Sequence, residues 1–375
     1  MHLIMFFTKE MSLVGWDRVG ILNREITLYQ RLLSKGYDIS FITFGNKEDL
    51  TYIDLLGGIK ILCNKWGFPK YIYNNYLHII HRKNLKSCNI IKTNQIYGAD
   101  IAIKSAKYYK KPIVVRLGYL PSDGYKVEFG VKSQKYKDSI ILEKNIFQKS
   151  QKVITTTNRI SSMIAKNDVD IHKINVIPNF VNCNLFNNNS IDEIEYDIIY
   201  IGRIAEEKNI KNLLEAIKKS NLRLLIIGNG PLKKELMNSF GKNGNQIKWI
   251  DKVSNEEIPK YMNQSKIFVL PSFYEGHPKV LIEAMSCEMT VIVSNVQGNN
   301  DVIIDGENGF LCDTSSESIQ KTIFNVLKMS EKKINLININ ARRFVKDNYS
   351  LDKIVNMEWK LYEDIINENN SMNLA

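Results

Sequence analysis

Paired cysteines, prolines and long apolar runs are all scarce in this sequence, and each scarcity removes a class of protein. Five cysteines (Cys63, Cys88, Cys183, Cys287 and Cys312) are scattered through 375 residues with no CxxC pair. That pattern supplies neither a disulfide framework nor a zinc site, and it suits reduced thiols buried as small hydrophobes in a cytoplasm. Eight prolines and no Gly/Ser or Gln/Asn tract, in a chain 44% hydrophobic and 24% charged, exclude a disordered polymer. No run approaches the roughly 20 apolar residues of a membrane span. The apolar start at 3–7 runs straight into Thr8-Lys9-Glu10, far too short for a signal-peptide core, so it reads as a first strand. The nicotinamide fingerprint G-x-G-x-x-G is missing after that strand, and Gly228-Asn-Gly-Pro-Leu-Lys233 lacks its third glycine and lies late in the chain.

Acidic residues are scarce in one half. Residues 1–190 hold 28 Lys and Arg against 14 Asp and Glu, a balance of +14, while 191–375 hold 23 against 26, a balance of −3. Within 101–150 there are 11 basic and 4 acidic side chains. Such a field attracts phosphates, anionic lipid headgroups or nucleic acid, and a plainly solvated basic face is the competing reading.

The length suits two domains. In the first half, apolar runs at 3–7, 39–43, 89–91, 112–116 and 152–155 alternate with amphipathic stretches at 20–34, 71–80, 99–109 and 135–148. That alternation predicts a parallel sheet covered on both faces. Polar turn residues at 182–190 mark an interdomain linker. The pattern then restarts, with strands expected at 197–202, 223–227, 247–250, 267–270 and 290–293 and helices between them. The expected division is therefore a basic N-terminal domain over 1–185, a second domain over 190–350, and a helix at 351–368 packing back on the first. Doubly wound sheets bind ligands beyond the carboxyl ends of their strands.

Two segments carry chemistry. In Leu270-Pro-Ser-Phe-Tyr-Glu-Gly-His-Pro-Lys-Val-Leu-Ile-Glu283, a strand ends, a loop carries Glu275-Gly276-His277, and a helix opens near Pro278. Proline is welcome in a first turn, and amides at a helix start form an anion site that Gly276 lets a diphosphate approach. Glu275 and Glu283 bracket that site as paired acceptors for hydroxyls. In Tyr200-Ile-Gly-Arg-Ile-Ala-Glu-Glu-Lys208, a strand runs into a glycine turn that presents Arg203 and Lys208. Cations at a helix start oppose the helix dipole, so their placement favours a role, such as neutralising a diphosphate without metal.

These residues resemble the retaining, two-Rossmann-domain glycosyltransferases of family 4, the GT-B group 1 enzymes. Glu275 and Glu283 match the family's E-x7-E, Gly202-Arg203 to Lys208 its G-R-x4-K, and Gly228-Asn-Gly-Pro231 its G-x-G-P turn. Val176 to Phe186 is similar to its pre-linker segment, and Asn308-Gly-Phe-Leu311 to its late G-x-L element. The resemblance implies two Rossmann-like domains facing across a cleft and transfer of a hexose or N-acetylhexosamine from a UDP-sugar. It implies no metal and no cofactor beyond the nucleotide-sugar co-substrate. Arg203 and Lys208 would hold the diphosphate, Glu275 a sugar hydroxyl, and the segment Gly276, His277, Pro278, Lys279 and Val280, through the N–H groups of its non-proline residues, the phosphate or sugar. Glu283 would bind the ribose, Lys252 and Val253 would flank the base, and Gly202, Gly228 and Gly20 would line the donor.

The chain departs from the family in two places. Gly20 stands alone where many members have a Gly-Gly pair. After 112–116, where many carry a histidine, it reads Val115-Arg-Leu-Gly-Tyr119. The acceptor's proton then goes to the leaving diphosphate or to an acid such as Asp123 or Glu128. Asp168-Val-Asp170 has the D-x-D spacing of metal-dependent transferases, but it precedes 171–178, a variable turn by the same comparison. The expected acceptor is a glycan or polyprenyl-diphosphate-linked glycan of a bacterial surface polysaccharide, reached from the cytoplasm or the inner face of the plasma membrane, with no nucleic acid partner. A sugar-nucleotide epimerase of the same fold is the rival enzyme. A non-catalytic membrane- or nucleic-acid-binding protein would explain the basic half alone.

Overall fold

A computed structural model of the chain describes residues 1–188, 193–241 and 246–374. It divides into two compact units, Met1–Pro178 with the chain from Val355 onward, and Asn179–Ile354.

The first unit is a seven-stranded parallel sheet: β1 (His2–Phe6), β2 (Asp38–Asn46), β3 (Lys60–Asn64), β4 (Ile90–Thr93), β5 (Ile113–Leu117), β6 (Lys152–Thr155) and β7 (Ile174–Val176). The strand order is β3-β2-β1-β4-β5-β6-β7, so it reverses between β1 and β4. Leu3 pairs with Ile39 on one side and Ile90 on the other, and all three are fully buried. Strands covered on both faces need such uninterrupted apolar runs. The second unit repeats the plan with β8 (Tyr196–Ile201), β9 (Leu224–Ile227), β10 (Ile247–Ile250), β11 (Ser265–Leu270), β12 (Thr290–Ser294) and β13 (Phe310–Cys312), ordered β10-β9-β8-β11-β12-β13. Here the order reverses between β8 and β11. The fold is the α/β, doubly wound class that the sequence predicts for each half.

The final helix, Leu351–Leu374, joins the first unit through a buried ion pair: Lys92 Nζ on β4 lies 2.6 Å from Glu358 Oε2, and both side chains are 1% exposed. The Tyr362 hydroxyl donates to the same carboxylate oxygen at 2.5 Å. Burial opposes the charge on Glu358, but Lys92 and Arg116 hold its pKa below the ordinary carboxylate value.

Several expectations shift. The boundary falls at Pro178 rather than in the polar run at 182–190, because Phe186 is buried in the core of the second unit and the Ser286 hydroxyl donates to its carbonyl at 2.6 Å. Polar turn residues there wrap one side chain the core requires; Asn189 and Ser190 of that run lie outside the described residues. The stretch 171–178, read as a turn, contains β7. The edge strand β3 and the helices Leu13–Arg18, Pro121–Phe129 and Asn158–Ala165 had no counterpart in the sequence reading.

Candidate active site

The loop after β8 begins at Gly202. The Tyr200 hydroxyl reaches past it and donates to the Arg203 carbonyl at 2.9 Å. A Cβ on Gly202 would sit 2.7 Å from that hydroxyl, so the glycine is dictated by the buried tyrosine beneath it. Gly228, after β9, lies against the same loop, where a Cβ would stand 1.9 Å from the Gly202 carbonyl oxygen. Backbone thus packs on backbone, and Arg203 is left exposed on the turn. The chain continues into a 3-10 turn, Glu206–Lys208, and then the helix Ile210–Ile217. Between them Asn209 takes a positive φ of 54° and donates through Nδ2 to the carbonyls of Pro271 and Thr314 at 2.9 and 2.8 Å. One buried amide therefore fastens the loops after β8, β11 and β13 together.

The loop after β11 meets it there. The Phe273 amide donates to the Glu207 carbonyl at 2.9 Å. Lys208 Nζ lies 2.7 Å from Glu275 Oε1, with side chains 21% and 9% exposed. The Ser272 hydroxyl donates to that same Oε1 at 2.7 Å. The Glu275–Gly276 backbone rests on Gly298, whose φ is +88° and whose Cβ would come within 2.5 Å of both carbonyl oxygens. A half-buried cation, a carboxylate and an exposed arginine therefore meet at the carboxyl edge, where the strand order reverses and a doubly wound sheet opens for ligand.

The helix Lys279–Ser286 follows, with Pro278 as its N-cap, one position before the first turn; among the described residues no side chain caps it. Its first amides carry the partial positive charge of a helix start. His277 is buried: its carbonyl accepts from Asn179 Nδ2 at 2.8 Å and its ring packs edge-on to Tyr349, centroids 4.8 Å apart. Glu283 is buried within the helix and Val280 packs on the core. Lys252, exposed, and Val253, against the core, follow β10 two strands from β8. Gly20 belongs to the other unit, in the turn between the helices Leu13–Arg18 and Leu22–Ser34, with φ +76°.

Sequence reasoning picked out Glu275 and Lys208 but missed the residues that position them: Ser272, Asn209, Tyr200 and Gly298. The one available signal was a glycine soon after the end of β12. Of the two alternative acids, Asp123 pairs with Arg159 Nη2 at 2.9 Å, and Glu128 is exposed on the helix Pro121–Phe129. In the D-x-D pair, Asp168 is engaged with Lys144 Nζ at 2.7 Å. Asp170 caps a 3-10 turn by accepting from the His172 amide at 2.9 Å.

Residues 183–343 match the family model described as glycosyl transferases group 1. The chain is 29% identical over 237 residues to an uncharacterized glycosyltransferase of Methanocaldococcus jannaschii, covering 61% of this chain and 66% of that one. It is 29% identical over 218 residues to the UDP-Gal:alpha-D-GlcNAc-diphosphoundecaprenol alpha-1,3-galactosyltransferase of Escherichia coli, covering 53% and 56%. Both matches span less than two thirds of the relative's length. Among solved structures, sucrose-phosphate synthase of Thermosynechococcus elongatus superposes with a TM-score of 0.80 at 17% identity, covering 98% of this chain and 100% of that one. At that identity the likeness shows the fold alone.

Proposed function

We propose that the chain, whose residues 183–343 match glycosyl transferases group 1, is a retaining, metal-independent glycosyltransferase. It moves a hexose or N-acetylhexosamine from a UDP-sugar to a lipid-linked surface glycan. The observation that carries the reading is the Lys208–Glu275 pair, 2.7 Å apart at the carboxyl edge of the second sheet. Lys208 and Arg203 take the place of a metal against the diphosphate, their positive charges stabilising the charge that develops as the anomeric C–O bond breaks. Glu275, held by Lys208 and Ser272, accepts from a donor-sugar hydroxyl. The acceptor oxygen bonds to the anomeric carbon on the face the diphosphate leaves, and its proton passes to the departing diphosphate oxygen. The undecaprenyl-linked acceptor in the name of the E. coli relative supports the lipid-linked class.

The test is incubation of the protein with UDP-, GDP- and ADP-sugars in EDTA, following melting temperature and nucleotide release. One sugar nucleotide should raise the melting temperature and be slowly hydrolysed with retention. Glu275→Ala and Arg203→Ala should each lower turnover by about two orders of magnitude with the fold intact. If no nucleotide sugar binds, or if Glu275→Ala keeps wild-type rates, the reading is overturned.

A further inference from the structure

Between Asp54 and Asp100 the chain has no acidic residue, yet it carries Lys60, Lys65, Lys70, Arg82, Lys83, Lys86 and Lys92. Lys92 is buried with Glu358, and the other six side chains are exposed. The same stretch exposes large apolar side chains. Trp66 is 52% and Tyr71 69% exposed, and Phe68, Tyr76 and Ile79 are exposed with them. Single exposed hydrophobes are ordinary, but a cluster of aromatics rimmed by cations of one sign is not.

The cluster is held in place. In the loop after β3, Asn64 grips Phe68 twice, donating through Nδ2 to its carbonyl at 2.6 Å and accepting its amide at 3.0 Å. This closed loop presents Trp66 and Phe68, ring centroids 6.1 Å apart, with Lys65 Nζ 5.0 Å over the indole. The next helix, Lys70–Ile80, buries Tyr73 and Leu77, and the Tyr73 hydroxyl donates to the Thr43 carbonyl at 3.1 Å. The same helix buries His78, and Tyr71, Tyr76 and Ile79 on it stay exposed.

We propose that this loop and helix, together with the short helix Arg82–Ser87 that follows, form a docking face for an anionic lipid bilayer. Amphipathic rings of Trp and Tyr favour the boundary between headgroups and acyl chains, and Lys and Arg stems reach from apolar ground to anionic headgroups. A stretch without carboxylates meets no repulsion there, which is the charge complementarity that selects a membrane over a neutral partner. The inference deepens the reading of a lipid-linked acceptor, since such an acceptor is met at the bilayer.

The experiment is co-sedimentation of the full chain with vesicles of equal parts phosphatidylglycerol and phosphatidylcholine, and with pure phosphatidylcholine. The wild type should bind the mixed vesicles at low salt and be released by salt. Trp66→Ser with Ile79→Ser should weaken binding by about tenfold, and so should Lys83→Glu with Lys86→Glu, which leaves the apolar residues untouched. Unchanged melting and an unchanged response to the nucleotide sugar separate loss of docking from loss of fold or of donor binding. Vesicle binding that survives both variants, its absence in the wild type, or light scattering that shows a dimer dissolved by Trp66→Ser in place of vesicle binding would each overturn the proposal. Docking without any nucleotide-sugar response would leave it standing and sink only the transferase reading.

Discussion

Glu275 depends on neighbours that contribute one contact each. Ser272→Ala removes a hydroxyl that donates at 2.7 Å to Oε1 and leaves Lys208 on the same oxygen. Turnover should fall by about tenfold, with a stability loss of about 1 kcal/mol, read from steady-state kinetics beside urea unfolding. An unchanged turnover would show that Lys208 alone orients the carboxylate. Gly298→Ala places a Cβ against two carbonyls at positive φ, so it should cost about 1–3 kcal/mol and weaken donor binding as the Glu275–Gly276 loop moves. His81 offers a separate prediction. Burial, then Lys65, lowers its pKa from 6.5 to about 4. The unfolded chain therefore takes up a proton that the fold refuses, and stability should decline as pH falls from 6.5 towards 4, by up to about 3 kcal/mol. His81→Gln should flatten that slope in urea titrations across the range; an equal slope would place the acid sensitivity elsewhere.

At the scale of elements, the final helix is bound to the first sheet by a charge pair that water cannot reach. Glu358→Ala strands a buried ammonium and should cost about 3–5 kcal/mol. Lys92→Met with Glu358→Leu removes both charges and should recover most of that loss, as guanidinium melts of the three proteins would show. The folded pKa of Glu358 lies below its ordinary 4.5, so its contribution is complete above that value and is lost as pH falls through the folded pKa. Central elements were legible because burial on both faces leaves a continuous apolar run, as in β1, β8 and β12. Among the edge strands, β10 keeps enough apolar residues to be legible, whereas β3, which opens and closes on polar residues, and the three-residue β7 were not. Short helices such as Asn158–Ala165 give too few turns for a period to show.

At the scale of the whole molecule, the chain passes from the first unit to the second after Pro178 and returns after Ile354. The first unit is therefore discontinuous in sequence. A chain ending at Ile354 would leave Lys92 without Glu358 and expose the face that Tyr362 and Ile365 cover. It should be protease-sensitive and lack near-ultraviolet ellipticity in its first unit, whereas the second unit, whose core lies wholly within Asn179–Ile354, should stay folded. Limited proteolysis with mass mapping distinguishes the two, and equal resistance in both units would refute the dependence.

By itself the sequence determined what repetition and local chemistry can specify. Apolar runs at regular spacing required two covered parallel sheets, the charge imbalance marked the first half, and Glu275, Arg203 and Lys208 stood out because glycine turns and a helix start bring polar groups to strand ends. Tertiary structure alone decided which of these groups meet. Lys208 and Glu275 are 67 residues apart, and Lys92 and Glu358 are 266 apart. They touch because a parallel sheet that reverses its strand order sets the carboxyl ends of distant strands side by side, and because the helix Leu351–Leu374 returns to the sheet formed by residues 2–176. No local pattern encodes such pairings: the free energy that selects them comes from burying whole faces at once, and each charge is tolerated only where the complete fold delivers its partner.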